Sequence, residues 1–279
     1  MTTVEPHCLV YVDASPRGDW ALSLAALLPG RERRTFHLLA TDKDAGAHPK
    51  LLDEAALRLA GAQGVRPVVR RGPPRRAVVL EAESRSYDLV VVPPAGRNAL
   101  QRMLRGSRVA TVVRSVHAPV LVARRPPPRL DRILAAVSGG NASEAVVTAA
   151  AELAAGLGGH VDYLHVASEV ALPFAPHDAP REPVTGPPPD ALHSAQAALA
   201  HAGSAGALVV REGVVVDEVL NAFEAGAYDL LVVGASAEGE RGLGREHVTQ
   251  RIVLGCPRSL LVVPASGLRA GAGPGQDRM

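Results

Sequence analysis

Lysine is almost missing from this chain. Lys43 and Lys50 are the only two in 279 residues, so no Gly-Lys-Ser/Thr phosphate loop exists and a Walker-type nucleotide site is excluded. Aromatic residues make up 3%, so any core must be built from Val, Leu and Ala. Cysteine is limited to Cys8 and Cys256, each in or beside an apolar run and far apart in sequence. That pattern predicts two small buried residues rather than a disulfide or a metal site. No run of about 18 apolar residues is present, and the opening "MTTVEPHCLVYV" lacks a basic start followed by a long apolar stretch. The expectation is a cytoplasmic protein with neither a spanning helix nor a secretory leader. Charge of one sign is also lacking: the formal net charge is +2, too small to argue for nucleic acid or membrane. The basic runs "RERR", "RRGPPRR" and "ARRPPPR" carry no interleaved aromatics and read as solvated loops.

What is present is a packed globule's composition, 47% hydrophobic and 21% charged, arranged twice. "RGPPRRAVVLEAESRSYDLVVVP" from Arg71 matches "EGVVVDEVLNAFEAGAYDLLVVG" from Glu212. Gly72 to Tyr87 and Gly213 to Tyr228 have equal spacing, and Tyr-Asp-Leu follows in both. Each half alternates short continuous apolar runs with longer helical patterns. The runs at residues 8–12, 35–40, 66–70, 89–92 and 120–123 repeat at 133–137, 161–166, 207–210, 230–233 and 260–263. Continuous runs of this kind predict parallel strands covered on both faces. The fold class is therefore α/β: two tandem, doubly wound, five-stranded parallel-sheet domains, flavodoxin- or Rossmann-like. The expected domains are residues 1–125 and 126–268, with a disordered tail at 269–279. "RRPPPRL" from Arg124 reads as a stiff linker, and the proline-rich stretch from Leu172 to Leu192 as an inserted loop. The last strand of each half would be an open apolar edge, so the two edges are expected to meet within one chain or in a homodimer.

In open parallel sheets, ligands bind at the carboxyl ends of strands where strand order reverses. After the first strand comes "VDASPRGD", with Asp13 at its tip; after the fourth comes "PPAGRNALQRMLRGS". Glycines allow close backbone approach to an anion, and a helix start offers free N–H groups. "VYVDASP" resembles the Val-Asp-Gly-Ser start of the universal stress protein family. "VVVPPAGRNALQRMLRGSRVATVVRSVHAPVLVAR" is similar to that family's signature, Gly-x2-Gly-x9-Gly-Ser ending in Pro-Val-Leu-Val. The resemblance covers nearly the whole chain, twice. It implies a tandem member whose two domains pair as an intrachain pseudo-dimer, regulatory rather than enzymatic, and binding ATP or a related adenine nucleotide in the first domain. Carried over, Asp13 and Ala14 would face the base and ribose, and Thr41 would offer backbone groups to the adenine. Gly96, Gly106 and Ser107 would hold phosphates; Arg97, Arg102, Arg105 and Arg108, which are not part of that signature, would add charge beside them.

The chain also departs from that signature. Its first glycine falls on Pro93, which has no N–H to donate. In the second half Ser138 replaces Asp13, and Glu246 and His247 stand where Gly-Ser belongs; a glutamate there repels phosphate. Two rival readings follow: a scaffold or interaction protein that has lost the nucleotide, with an unidentified protein partner, and a slow ATP hydrolase. "GASAEG" after the residue 230–233 run approaches a nucleophile elbow around Ser236, but its closing glycine is displaced. The ten histidines show no metal-ligand spacing; His160 and His165 read as strand-flanking, and His117, His193 and His201 as surface residues. Asp88 and Asp229 recur just before the fourth strand of each half and read as structural turn residues.

Overall fold

The computed structural model describes residues 5–94, 116, 118–137, 141–167, 197, 206–235 and 245–264. All ten expected strands form. The first half supplies β1 (His7–Tyr11), β2 (Thr35–Thr41), β3 (Gly64–Arg70), β4 (Leu89–Val92) and β5 (Val120–Val122). The second supplies β6 (Arg132–Val137), β7 (His160–Ala167), β8 (Leu208–Glu212), β9 (Leu230–Gly234) and β10 (Ser259–Val263). They join in one ten-stranded sheet, ordered β3-β2-β1-β4-β5-β10-β9-β6-β7-β8. Every pairing is parallel except the central one, where β5 and β10 run antiparallel.

The expected meeting of the two last strands therefore occurs within one chain. Leu121 faces Leu261, with Val120 opposite Val262 and Val122 opposite Leu260. These pairs exchange under one two-fold operation, so Leu121 and Leu261 sit at its centre. Arg124, expected in a linker, instead belongs to this seam. Its amide donates to Ser259 Oγ at 3.0 Å, the same hydroxyl donates to its carbonyl at 3.0 Å, and its guanidinium donates to the carbonyl of Cys256.

Helices cover both faces. On one lie α1 (Gly18–Ala26), α3 (Leu51–Arg58) and, from the second half, α5 (Asn141–Leu157). On the other lie α4 (Pro74–Ser84), α6 (Val215–Ala225) and α7 (Arg245–Gly255). A short helix, α2 (Asp42–Ala47), follows β2 directly. Helix α6 buries Val216, Val219, Ala222 and Phe223, a single stripe at helical spacing. Each large side chain of that stripe contributes about 1.5–3 kcal/mol. Helix α4 begins on Pro74, whose fixed φ suits a first helical position. The repeated glycines open both of these helices: Gly72 (φ +101) and Gly213 (φ +141) take positive φ angles that side chains rarely adopt.

The continuous burial expected of every strand holds for the inner ones, such as β2 with all seven residues buried, but not at the two ends of the sheet. β3 and β8 have one strand neighbour each, and their residues are half-buried or exposed; Val69 and Val210 are each 51% exposed. Pro67 lies on β3, where a missing N–H discourages further strand addition. Cys8 and Cys256 are buried free thiols, as expected, and burial pushes their pKa values up to about 12 and about 11.

Candidate functional site

Strand order reverses between β1 and β4, which are neighbours although β2 and β3 intervene in sequence. The carboxyl ends of these strands form the candidate edge. β1 ends at Tyr11, and Asp13 follows two residues later, half-buried, with Ala14 exposed beside it. Asp13 Oδ1 accepts from the amide of Ser15 at 2.9 Å and from its hydroxyl. Ser15 Oγ in turn accepts from the amides of Arg17 and Gly18, each at 3.3 Å. This tight turn brings the start of α1 against the strand tip. A Cβ on Gly18 would overlap the carbonyl oxygen of Asp13 and lie 2.8 Å from its Oδ1. Only glycine allows that approach. Asp13 Oδ2 has no hydrogen-bond partner among the described residues.

Thr41 ends β2, on the neighbouring strand of the same edge. Its side chain caps α2. Thr41 Oγ1 accepts from the amide of Asp44 at 3.2 Å and donates to Asp44 Oδ2 at 2.5 Å. Tyr11 Oη donates to the same carboxylate oxygen at 3.0 Å. Burial first, and then the Asp44 carboxylate, push the Tyr11 pKa well above the usual tyrosine value, so the hydroxyl stays a donor. Asp42 Oδ1 accepts from the amide of Gly72 at 3.2 Å, tying α2 to the β3–α4 turn.

Asp42 and Asp44 are not among the residues singled out from the sequence. The signal was available: Thr41-x-x-Asp44 is a helix-capping pattern directly after an apolar run. Continuing the β1–β4 register by two residues places Val12 level with Pro93, which is half-buried, while Pro94 is buried. Asp13, Ala14 and Thr41 are thus brought to one edge beside Pro93 and Pro94. Gly96, Arg97, Arg102, Arg105, Gly106, Ser107 and Arg108 lie outside the described residues.

At the equivalent edge of the second half, the described residues are the end of β9 and helix α7. Glu246 and His247 fall in the first turn of α7. From the next turn Thr249 Oγ1 donates to the carbonyl of Gly234 at 3.0 Å, closing the helix onto the end of β9. Ser138 and Ser236 lie outside the described residues, as do His117, His193 and His201. His160 and His165 both lie within β7 rather than flanking it. His160 Nε2 pairs with Asp162 at 2.8 Å, and buried His165 meets the carbonyl of Val137 through Nδ1 at 3.0 Å. No group of three or more potential metal ligands converges among the described residues. Nor, among them, is any helix long and apolar enough to cross a membrane.

The universal stress protein family model matches residues 7–124 and again residues 129–264. The chain belongs to the universal stress protein family. Its tandem arrangement follows from the double match. A universal stress protein from Methanocaldococcus jannaschii is 38% identical over 55 residues, covering 20% of this chain and 32% of that relative. The match thus spans about a third of the relative's length. Among solved structures, a universal stress protein from Archaeoglobus fulgidus superposes with a TM-score of 0.70 at 16% identity, covering 92% of this chain and 96% of that one. A functionally unknown protein, PA1789, from Pseudomonas aeruginosa superposes with a TM-score of 0.68 at 17% identity, covering 94% and 93%. At these identities the likeness shows the fold alone.

Proposed function

We propose that the protein is a regulatory, non-catalytic member of its family that binds ATP or a related adenine nucleotide at the carboxyl edge of β1, β2 and β4 in its first half. The observation that carries this reading is the Asp13 turn. The carboxylate is fixed by Ser15 through one oxygen, has no partner for the other among the described residues at a strand-order reversal, and lies against a helix start that only glycine permits. That second oxygen suits a ribose hydroxyl, with Ala14 and the end of β2 at Thr41 flanking the base. Gly96, Gly106 and Ser107, with Arg97 and Arg108, would take the phosphates. The second half, with α7 drawn onto β9, is assigned no nucleotide.

Hydrolysis is the poorest reading of this edge. Asp42 and Asp44 are committed to Gly72, Thr41 and Tyr11, which leaves Asp13 to serve as both ligand and base. The scaffold reading draws support from Pro93, a half-buried residue without an N–H at the first signature position. Calorimetric titration with ATP separates the readings, using the intact chain, Asp13→Ala and Gly106→Glu. Micromolar binding lost in both variants supports the nucleotide site. A flat titration of folded wild-type protein removes it and leaves the scaffold. Phosphate release from ATP over hours would revive the hydrolase.

A further inference from the structure

A second candidate site lies over the seam where the two halves meet, lined from the amino ends of β4 and β9, which the antiparallel β5–β10 pair sets toward opposite ends of the sheet. A cavity of about 190 Å³ opens on the face covered by α1 and α5. Its floor is the Leu121–Leu261 pair at the centre of the seam. Leu28 and Pro29, just past α1, form one wall and Leu153 of α5 the other. The helices touch nearby: a Cβ on Gly156 would fall 2.7 Å from Pro29 Cβ, so neither wall can move inward to collapse the space.

The lining is apolar except for three charged residues, and these are not equivalent. Asp88 Oδ2 already accepts the amide of His7. Glu152 is exposed on α5 and is hydrated from outside. Arg34, half-buried before β2, makes no ion pair with any described residue, and its Nε is buried without an acceptor. A buried donor without a partner destabilises the protein until an acceptor reaches it. The one unmet demand of this cavity is thus a cation asking for an acceptor, at the rim of an aliphatic chamber. The second half offers no counterpart, because the position matching Arg34 by strand register is Gly159. Among the described lining residues the cation is therefore on one side only, and an anionic occupant would be held in one orientation.

The geometry points to a binding site for a short straight-chain monocarboxylic acid, its carboxylate on Arg34 and its alkyl tail over Leu121 and Leu261. A cavity of about 150 Å³ takes a benzene-sized guest, so this one suits roughly six to eight carbons. Because the tail lies across both halves, the ligand would tie them together, independently of any nucleotide at the other edge.

The test is calorimetric titration of the full chain with hexanoate and octanoate, with octanamide as the uncharged isostere. One saturable site for octanoate is expected, weakened at least tenfold in Arg34→Gln and at least tenfold for octanamide. Unliganded Arg34→Gln should remain folded, with a melting temperature no lower than that of wild type, because the substitution removes a buried donor that has no partner among the described residues. Ala149→Leu, which narrows the cavity, should also lose the site. Should that variant not fold, Arg34→Gln still decides. Absence of saturable binding for acids from butyrate to decanoate overturns the proposal. So does octanoate binding that is equal with and without Arg34, or octanamide binding as tightly as octanoate.

Discussion

The amide of His7 donates to Asp88 Oδ2 at 2.7 Å, and the amide of Asp88 donates back to the carbonyl of His7 at 2.9 Å. The second half repeats this clamp. Asp229 Oδ2 accepts from the amides of Asp131 and Arg132, both at 3.0 Å, and its own amide donates to the carbonyl of Arg132 at 2.8 Å. Each clamp locks the start of a domain's first strand to the start of its fourth, the two strands that flank the strand-order reversal. The recurring Asp before each fourth strand is structural, as its position at the starting end predicted.

Removing the acceptor should cost more in the first half than in the second. The His7 amide is partly buried, whereas the amides held by Asp229 are exposed and can turn to water. Asp88→Ala should lose about 1–3 kcal/mol and Asp229→Ala about 0.5–1.5 kcal/mol, with the double variant near their sum because the sites are distant. Asparagine at either position keeps an acceptor oxygen and should recover most of the loss. Urea unfolding of the five variants measures all of this; equal losses at the two positions would contradict the burial argument.

Gly18→Ala tests the Asp13 turn. The added methyl overlaps the Asp13 carbonyl oxygen, so helix α1 or the strand tip must shift. Overpacking of this kind costs about 1–3 kcal/mol. Because the displaced residue is the proposed ribose ligand, ATP affinity should fall further than stability does. A variant with wild-type melting temperature and wild-type ATP binding would show that the close approach is not needed.

His37 gives the protein an acid-side weakness. It is 2% exposed on β2, with its ring against His7 and Tyr87. Burial first, and then the positive charges of Arg85, His7 and Arg66, lower its pKa from 6.5 to about 4. The folded state thus holds this imidazole neutral where the unfolded chain would protonate it. Stability from this group is complete above pH 6.5 and is lost progressively as pH falls towards 4. At about 1.4 kcal/mol per unit, the loss has a ceiling of about 3 kcal/mol. Urea unfolding at pH 7.5 and pH 4.5 should show it in wild type and a much flatter response in His37→Leu. An equal decline in both would assign the acid sensitivity elsewhere.

Much of this architecture is legible in the sequence, because it rests on local regularities. Strands appear as continuous apolar runs; the matched Gly72 and Gly213 mark two turns whose positive φ demands glycine. The repeated tyrosine has a use that spacing alone does not reveal. Tyr87 donates to Glu81 of α4 at 2.7 Å, whereas Tyr228 donates to Asp162 of β7 at 2.6 Å. One position is served by carboxylates from different elements, so no repeat search pairs them. The candidate edge divides the same way. Asp13 is visible as a polar residue ending an apolar run, and Thr41-x-x-Asp44 as a cap. That Tyr11 reaches Asp44, or that Gly18 abuts Asp13, depends on how neighbouring elements approach. Arg34 reads as one more arginine in a basic run until its Nε is seen buried at the seam.

The seam itself makes the last prediction. Leu121 and Leu261 occupy equivalent places in the two halves and face each other across β5 and β10. A second copy of β5 can therefore take the place of β10 with Leu121 opposite Leu121. Residues 1–125, proposed as a domain, would expose β5 as an apolar edge if produced alone. Light scattering should find this fragment dimeric, closed by a two-fold axis. Leu121→Asp should disrupt that dimer, since it would bury an unpaired carboxylate at the axis. A folded, monomeric wild-type fragment would mean that backbone pairing and leucine contact do not suffice. The asymmetric contacts, Arg124 with Ser259 and with the Cys256 carbonyl, would then be what hold the two halves together.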